Sequence, residues 1–176
     1  VYKRQIMSIV ILCLMAALGV VMFVSQVALA FLPNIELVSL FVILFTLVFR
    51  KRVVGALGVF ILLEGLVYGF GFWWLNYLYV WPLLALLTYM FRWMTKSWQW
   101  AVFSGLYGLA FGTFCSLAYL PIGGIPMMIS WIISGFPFDI AHAVGNFILA
   151  FLLYRKLRQL LEKLDHGLLR LGNSAH

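Results

Sequence analysis

Long apolar runs of helical length fill this chain, and the basic residues lie in short clusters between them. Lys3 and Arg4 precede the first run, clusters at 50–52 and 92–96 interrupt the middle of the chain, and the last basic group begins at Arg155. No run alternates with the two-residue period of an outer-membrane barrel strand. The pattern therefore predicts an all-α integral membrane protein.

The composition supports this class. The chain is 65% hydrophobic and only 10% charged, with a mean hydropathy of +1.08, whereas about a quarter of a soluble domain is charged. The net charge of +7 is distributed between apolar runs, which indicates membrane topology rather than nucleic-acid binding. At roughly 20 residues per span, the length allows about six helices and no separate soluble domain.

The basic clusters also predict the topology. Every Lys and Arg lies at a terminus or in the second or fourth connection, so the positive-inside rule places both termini in the cytoplasm. We expect a six-helix transmembrane domain over 1–154 and a cytoplasmic amphipathic tail over 155–176. The expected spans are about Ile6–Phe31, Ile35–Phe49, Val53–Trp74, Tyr77–Phe91, Trp100–Tyr119 and Pro137–Tyr154.

The segment before the last span is rich in Pro and Gly. Residues 120–126 are predicted to form a loop. Residues 127–134 are apolar but too short to span, so they form either a small capping helix or more loop. Pro137 suits the first turn of the last helix, where its missing N–H costs nothing.

Three polar side chains interrupt the last apolar run. Asp139, His142 and Asn146 follow i, i+3, i+7 spacing and share one helical face. Such groups are costly in a membrane unless they are paired or face a ligand. Asp139 and His142 either hold a ligand or relay protons, or they form an internal pair, with Asn146 bonded to another span. The helix dipole near Pro137 is a further structural reason for an acid at 139.

Polar residues on four spans lie at similar depths when a rise of 1.5 Å per residue is counted from the basic boundary of each span. The depths are about 18 Å for Glu64, about 20 Å for Tyr79 and His142, about 21 Å for Glu36, about 24 Å for Asn76 and Asp139, and about 14 Å for Asn146. The hydrocarbon core is about 30 Å thick, so most of these groups lie in its outer half. We therefore expect a pocket open to the outside, roofed by 32–34, 73–76 and 122–126.

Two further acids need an explanation. Glu64 is flanked by leucines with no local partner, which makes it a functional candidate by default. Glu36 and Asn34 follow Pro33, so they either cap the second span or contact a ligand. Nearby aromatic residues, including Trp73, Tyr77, Trp81 and Trp131, form an interfacial belt or stack on a flat ligand.

Catalysis is not supported by the sequence. It contains no HExxH, GxSxG or P-loop motif, no zinc-ligand spacing and no nucleotide-binding site. We therefore expect a non-enzymatic protein without cofactor or metal. Any active transport would draw energy from an ion gradient or from a partner.

Small residues offer sites of close helix approach. Gly108-x-x-x-Gly112 is a GxxxG pair that is expected to pack internally. On the first span, Cys13, Ala16 and Ala17 form a small-residue face on which a partner protein could dock.

Three segments carry a family resemblance: Leu32-Pro33-Asn34-Ile35-Glu36-Leu37, Leu63-Glu64-Gly65-Leu66-Val67-Tyr68-Gly69, and Pro137-Phe138-Asp139-Ile140-Ala141-His142 with Gly145-Asn146-Phe147. With six short spans, they make the chain resemble the substrate-binding S component of an energy-coupling factor (ECF) vitamin transporter. Family members carry an Ala-x-x-x-Ala docking motif on span one, for which Cys13-x-x-x-Ala17 is the nearest form here.

The resemblance implies a substrate-capture subunit in the plasma membrane of a prokaryote. It would bind a vitamin or related micronutrient and deliver it with a transmembrane scaffold subunit and two cytoplasmic ATPases. The lining would suit a heterocyclic or cationic ring compound, and a large corrinoid also remains open. The alternative is a structural or scaffold protein of a cell-envelope complex with internally paired acids and no ligand; a membrane-embedded enzyme comes third.

Overall fold

The computed structural model describes residues 2–173, with side chains from 5 to 168 and at 170. Val1 and residues 174–176, the outer ends of the two predicted domains, lie outside the described residues. The described chain is helical and contains no β-strand, which confirms the all-α prediction.

Six α-helices make up the described chain. They are α1 (Tyr2–Leu29), α2 (Val38–Phe49), α3 (Val53–Tyr68), α4 (Phe72–Met90), α5 (Ser97–Ser116) and α6 (Leu120–Asn173). Short 3₁₀ turns at Arg50–Arg52 and Leu117–Tyr119 connect α2 to α3 and α5 to α6. Two helical stretches of the described chain, Gln5–Leu29 and Ser97–Leu168, are long and apolar enough to span a membrane.

The course of α6 differs from the prediction. The expected loop at 120–126 is reduced to a kink at Gly124 (φ 66°, ψ −164°), a conformation that glycine adopts without steric cost. The helix then continues through 127–134, past Pro137 and onward to Asn173. Pro126 follows the kink within one turn, where its missing N–H costs nothing. The prediction that Pro137 begins a helix was therefore wrong, and the predicted tail is a direct continuation of α6.

Helix α2 lies at the centre of the bundle. Nine of its twelve residues are buried, and it packs against α1, α3, α4, α5 and α6. Its sequence is apolar on all sides, as expected for a helix that neighbours surround completely. The other helices are arranged around it, with extensive contacts between α1 and α3 and between α5 and α6.

Helices α5 and α6 approach closely because α5 has glycines at the contact. A Cβ at Gly108 would lie 2.9 Å from the carbonyl carbon and oxygen of His142, and one at Gly105 would lie 3.2 Å from the carbonyl oxygen of Ala143. At Gly112, the space that a Cβ would need is occupied by the Asp139 carboxylate. This contact fixes the height at which the polar residues of α6 enter the bundle.

The described chain has an inverted distribution of polarity. Large apolar side chains are exposed around the bundle, among them Leu12, Val54, Leu66, Leu86, Leu106 and Phe151. The buried polar side chains include Ser39, Thr46, Glu64, Asn76, Thr88, Ser104, Asp139, His142 and Asn146. In soluble domains Asp and Glu are almost never fully buried unless they are paired, and large apolar side chains are not exposed over such a wide surface. This surface is therefore suited to an apolar surrounding.

The two ends of the bundle differ in chemistry. One end carries the α2–α3 turn with Arg50–Arg52, the α4–α5 connection, and the part of α6 beyond Tyr154. Arg52 pairs there with Asp165 of α6 at 3.5 Å. The other end carries the α1–α2 and α3–α4 connections, in which no residue is basic.

Replacement of Gly108 by leucine should separate α5 from α6, because the new side chain would overlap the α6 backbone. We expect a loss of about 1–3 kcal/mol in the free energy of unfolding, as for other overpacked contacts. Denaturant unfolding in detergent micelles measures it. Gly135→Leu is the control, since a Cβ there meets nothing within 4 Å. Equal stability of the two variants would contradict the importance of this contact.

Candidate functional site: a polar-floored aromatic cavity

A cavity of about 420 Å³ lies at the end of the bundle that lacks basic residues. Its lining comes from α1, the α1–α2 connection, α3, α4, α5 and α6, and comprises Gln26, Leu29, Ala30, Leu32, Pro33, Asn34, Ile35, Glu36, Glu64, Tyr68, Trp73, Tyr77, Trp81, Phe111 and His142. Its volume lies within the roughly 300–1,000 Å³ of small-molecule sites. The cavity is therefore large enough for a small organic ligand.

Two buried polar atoms in the cavity wall lack a hydrogen-bond partner among the described residues. They are Oε1 of Glu64, a side chain that is 1% exposed, and Nε1 of Trp81, which is 2% exposed. Each unmet group costs about 1–3 kcal/mol. One is an acceptor when ionised and the other is a donor. Two residues of the lining thus each carry a polar atom, one acceptor and one donor, that no other described residue uses.

Aromatic rings from α4 form one wall of the cavity. Trp73, Tyr77 and Trp81 follow i, i+4, i+8 spacing and therefore lie along one helical face. Their rings meet edge to face, with centroids 5.3 Å apart for the first pair and 5.5 Å for the second. Phe111 of α5 lies 5.5 Å from Trp81. Contact with the neighbouring rings limits their rotation, so the wall is preformed for stacking against a flat ligand.

The α1–α2 connection is attached to α6 by a carboxylate–imidazole contact. Glu36 Oε1 lies 3.0 Å from His142 Nε2, and Glu36 Oε2 accepts the backbone N–H of Ser39 at 2.8 Å. Glu36 therefore stabilises the first turn of α2 and also reaches α6. A Cβ at Gly145 would lie 3.2 Å from Ile35, so the small residue lets this connection lie close to α6.

Four of the eight predicted binding residues line the cavity, namely Asn34, Glu36, Glu64 and His142. Asn34 has a positive φ of 57°, which asparagine tolerates better than most residues. The structure brings these four together from three parts of the chain. Their role in binding a ligand remains a prediction.

The other four, Asn76, Tyr79, Asp139 and Asn146, do not line the cavity and instead make contacts between or within helices. The Tyr79 hydroxyl donates to the Phe114 carbonyl oxygen at 2.8 Å and lies 3.0 Å from Asn76 Oδ1. Asp139 Oδ1 accepts the Gly112 N–H at 3.0 Å, and Asn146 Nδ2 lies 3.5 Å from the Ser104 carbonyl oxygen. Within the described chain, Asp139 and His142 form no hydrogen bond with each other, and His142 pairs with Glu36 instead.

Sequence reasoning did not select Gln26, whose Nε2 donates to the Tyr77 hydroxyl at 3.2 Å. A single glutamine near the end of an apolar span carried no pattern that would single it out. Trp73, Tyr77 and Trp81 were predicted either to form an interfacial belt or to stack on a ligand, and the structure places all three in the cavity lining. Their spacing of four residues is a signal that could have identified them as one wall.

The predicted docking face lies on α1. Cys13 and Ala17 are exposed on the bundle surface, whereas Ala16 is half-buried. Docking of a partner on this face remains a prediction.

The lining of the cavity combines aromatic rings with a few polar side chains. Among the described residues, no group of three or more His, Cys, Asp or Glu side chains could hold a metal ion. The cavity can stack a ring, accept a hydrogen bond or positive charge at Glu64, and donate a hydrogen bond from Trp81. Comparisons with protein-family models, curated proteins and solved structures found no match.

Loss of the imidazole at 142 should destabilise the fold by about 1–3 kcal/mol, because it leaves Glu36 Oε1 without its partner. A double-mutant cycle with His142→Ala and Glu36→Gln, followed by denaturant unfolding, isolates the pair. His166→Ala is the control, since His166 is exposed on α6. Strict additivity of the two single changes would show that the 3.0 Å contact contributes nothing.

Proposed function

We propose that the protein is the substrate-capture subunit of an ECF-type ABC importer. It binds a vitamin or related micronutrient in the aromatic cavity and delivers it with a transmembrane scaffold subunit and two cytoplasmic ATPases. The single observation that carries the proposal is the cavity of about 420 Å³ lined by Glu64 and Trp81, whose buried Oε1 and Nε1 atoms have no hydrogen-bond partner among the described residues. The subunit itself is not an enzyme in this proposal.

A location in the prokaryotic plasma membrane, with six spans, is supported by the inverted polarity of the surface. Exposed apolar side chains on α1, α3, α4, α5 and α6 would contact lipid at no cost, whereas water would penalise them. At 1.5 Å per residue, α4 is about 28 Å long, close to the hydrocarbon thickness. Helix α2 is shorter, about 18 Å, but its neighbours surround it.

The orientation follows from charge. The positive-inside rule places the end with Arg50–Arg52 and the distal part of α6 in the cytoplasm, together with both termini. The cavity lies at the opposite end and would open outward. A capture subunit needs this arrangement because its ligand arrives from outside.

The lining favours a flat heterocyclic ligand that carries a hydrogen-bond donor or a positive charge. A donor group would satisfy Glu64 Oε1, and a ring acceptor would satisfy Trp81 Nε1. Stacking on Trp73 or Tyr77 adds attraction, which a cationic ring strengthens. Because the low-polarity surroundings strengthen each hydrogen bond, these few groups can determine specificity.

A structural protein of a cell-envelope complex is the second candidate. It is favoured by the contacts of Asp139, Tyr79 and Asn146, all of which hold helices together without a ligand. It does not explain why Glu64 and Trp81 are left unpartnered at a cavity wall. The importer subunit accounts for both sets of residues.

Ligand binding by the full chain tests the proposal. Native mass spectrometry of the purified protein should show a co-purified small molecule, and a panel of radiolabelled water-soluble vitamins should identify a binder. Glu64→Gln and Trp81→Phe should each weaken binding about tenfold or more, because each loses a buried polar contact.

The matched controls are Glu162→Gln and Trp98→Phe, which make the same changes outside the cavity. Neither should alter binding. Two results together would reject the importer in favour of the structural protein. The purified protein would be empty and bind no member of the panel, and cells that carry Glu64→Gln or Trp81→Phe would take up vitamins at the normal rate.

The proposed topology predicts which positions are labelled from outside. In a Cys13→Ala/Cys115→Ala background, Asn34→Cys should react with a membrane-impermeant maleimide in intact cells, because Asn34 is exposed at the cavity end. Lys51→Cys, exposed at the basic end, should react only after permeabilisation. The reverse pattern would invert the topology and contradict outward capture.

A further inference from the structure

A second, smaller cavity of about 150 Å³ lies at the basic end of the bundle. Arginines from three separate elements line it: Arg50 at the end of α2, Arg92 after α4, and Arg158 on α6. Thr46, Leu47 and Tyr89 complete the lining. Charges of the same sign that line one small cavity repel each other, so this convergence favours a compensating anion.

The protein supplies only part of that compensation. Arg158 Nε donates to Glu162 at 2.8 Å, and Arg158 Nη1 donates to the Tyr154 hydroxyl at 2.8 Å. The Arg92 guanidinium lies 4.5 Å from the centre of the Tyr89 ring. Among the described residues, Arg50 and Arg92 form no ion pair with a carboxylate. Three arginines thus line the cavity and one carboxylate binds one of them, which leaves a net charge of about two positive units.

The backbone of Arg50 adopts a conformation that is rare for a residue with a side chain. Its φ is 54° and its ψ is −128°, whereas left-handed backbone favours glycine. Its N–H bonds the Thr46 carbonyl oxygen at the end of α2. An arginine at this position is unexpected for a turn that needs only to reverse the chain, and it contributes one of the three cavity guanidinium groups.

An apolar groove of about 510 Å³ begins at the same place and runs between α3 and α4. It shares Thr46, Arg50 and Tyr89 with the arginine cavity, and continues along α3 to Ile61. Its length along α3 from Val53 is about 12 Å. At Gly58 the groove is open, since an added Cβ would meet nothing within 4 Å.

We propose that this end of the bundle binds one anionic phospholipid. The headgroup phosphate lies among Arg50, Arg92 and Arg158, and one acyl chain lies in the groove between α3 and α4. Guanidinium groups bind phosphate oxygens through paired N–H donors, and basic pockets between helices on the cytoplasmic side hold anionic headgroups. The proposal rests on the proposed membrane location and orientation, and not on the ligand of the aromatic cavity.

The apolar groove favours a lipid over a free anion as the ligand of this site. Inorganic phosphate would satisfy the arginines but would leave the apolar groove empty. A phospholipid fills both, because its charged group and its chain are joined at the boundary where Arg50 lies. The polar and apolar parts of this site are therefore complementary to one molecule.

The test uses the full chain, delipidated in detergent and then titrated with phosphatidylglycerol or with phosphatidylcholine of the same acyl chains. Native mass spectrometry counts the lipids retained. We expect phosphatidylglycerol to be retained and phosphatidylcholine to be lost. Arg50→Gln and Arg92→Gln should each weaken retention about fivefold, and the double variant more than tenfold. Arg155→Gln and Lys156→Gln remove the same charge from exposed positions of α6 outside the cavity and should have no effect.

The groove is tested separately with Gly58→Leu, which fills open space without a clash. It should reduce phosphatidylglycerol retention at least fivefold, whereas Gly135→Leu, which is equally open, should not. A melting curve for each variant verifies folding. If Arg50→Gln does not fold, Arg92→Gln and Gly58→Leu still test whether the site binds phosphatidylglycerol.

Three results would overturn the proposal. The first is equal retention of the two lipids, and the second is unchanged retention in Arg92→Gln. The third is displacement of phosphatidylglycerol by inorganic phosphate, together with phosphatidylglycerol retention in Gly58→Leu that equals retention in the parent. That combination indicates a site for a free anion. Glu64→Gln should retain phosphatidylglycerol normally. Failure of vitamin binding and failure of lipid binding are therefore distinguishable.

Discussion

Close packing of α5 against α6 determines where the polar groups of this protein lie. Gly105, Gly108 and Gly112 place no α5 side chain at the contact, so the α6 backbone at 142–143 and the Asp139 carboxylate lie directly against α5. This contact fixes α6, which carries His142 to one end of the bundle and Arg158 to the other. The aromatic cavity and the arginine cavity, although separated by the length of the bundle, both depend on it.

Among the described residues most buried polar side chains are hydrogen-bonded, and six buried side-chain atoms are not, two of them on residues of the cavity wall. Thr46 and Thr88 bond the carbonyl oxygens one turn earlier, and Glu36 is shared between α2 and His142. Glu64 and Trp81, by contrast, leave atoms unpaired in the same cavity wall. A buried unpaired group is expensive, so its retention beside an empty space of ligand size is the main physical reason to expect a ligand there.

The helical class and the depth of the polar residues could be predicted from the sequence, but the hydrogen-bond partners of those residues could not. Depth counted from the basic clusters placed Glu36, Glu64 and Asp139 in the same half of the bundle. It carried no information on the direction in which each side chain points, and so it could not separate residues at the cavity from those between helices. The Glu36–His142 contact joins residues far apart in the chain, and only packing brings them together. Pro137 indicated a helix start, yet the apolar residues on both sides keep α6 continuous.

The continuity of α6 has a mechanical consequence. From the kink at Gly124 to Asn173 it is one rod of about 74 Å, more than twice the thickness of a hydrocarbon core. Such a rod transmits rotation. A tilt of about 10° about His142 would displace Arg158 by about 4 Å, because the intervening helix is about 24 Å long. The imidazole that contacts Glu36 and the guanidinium that bonds Glu162 are therefore carried by one continuous helix, which spans the distance between the two cavities.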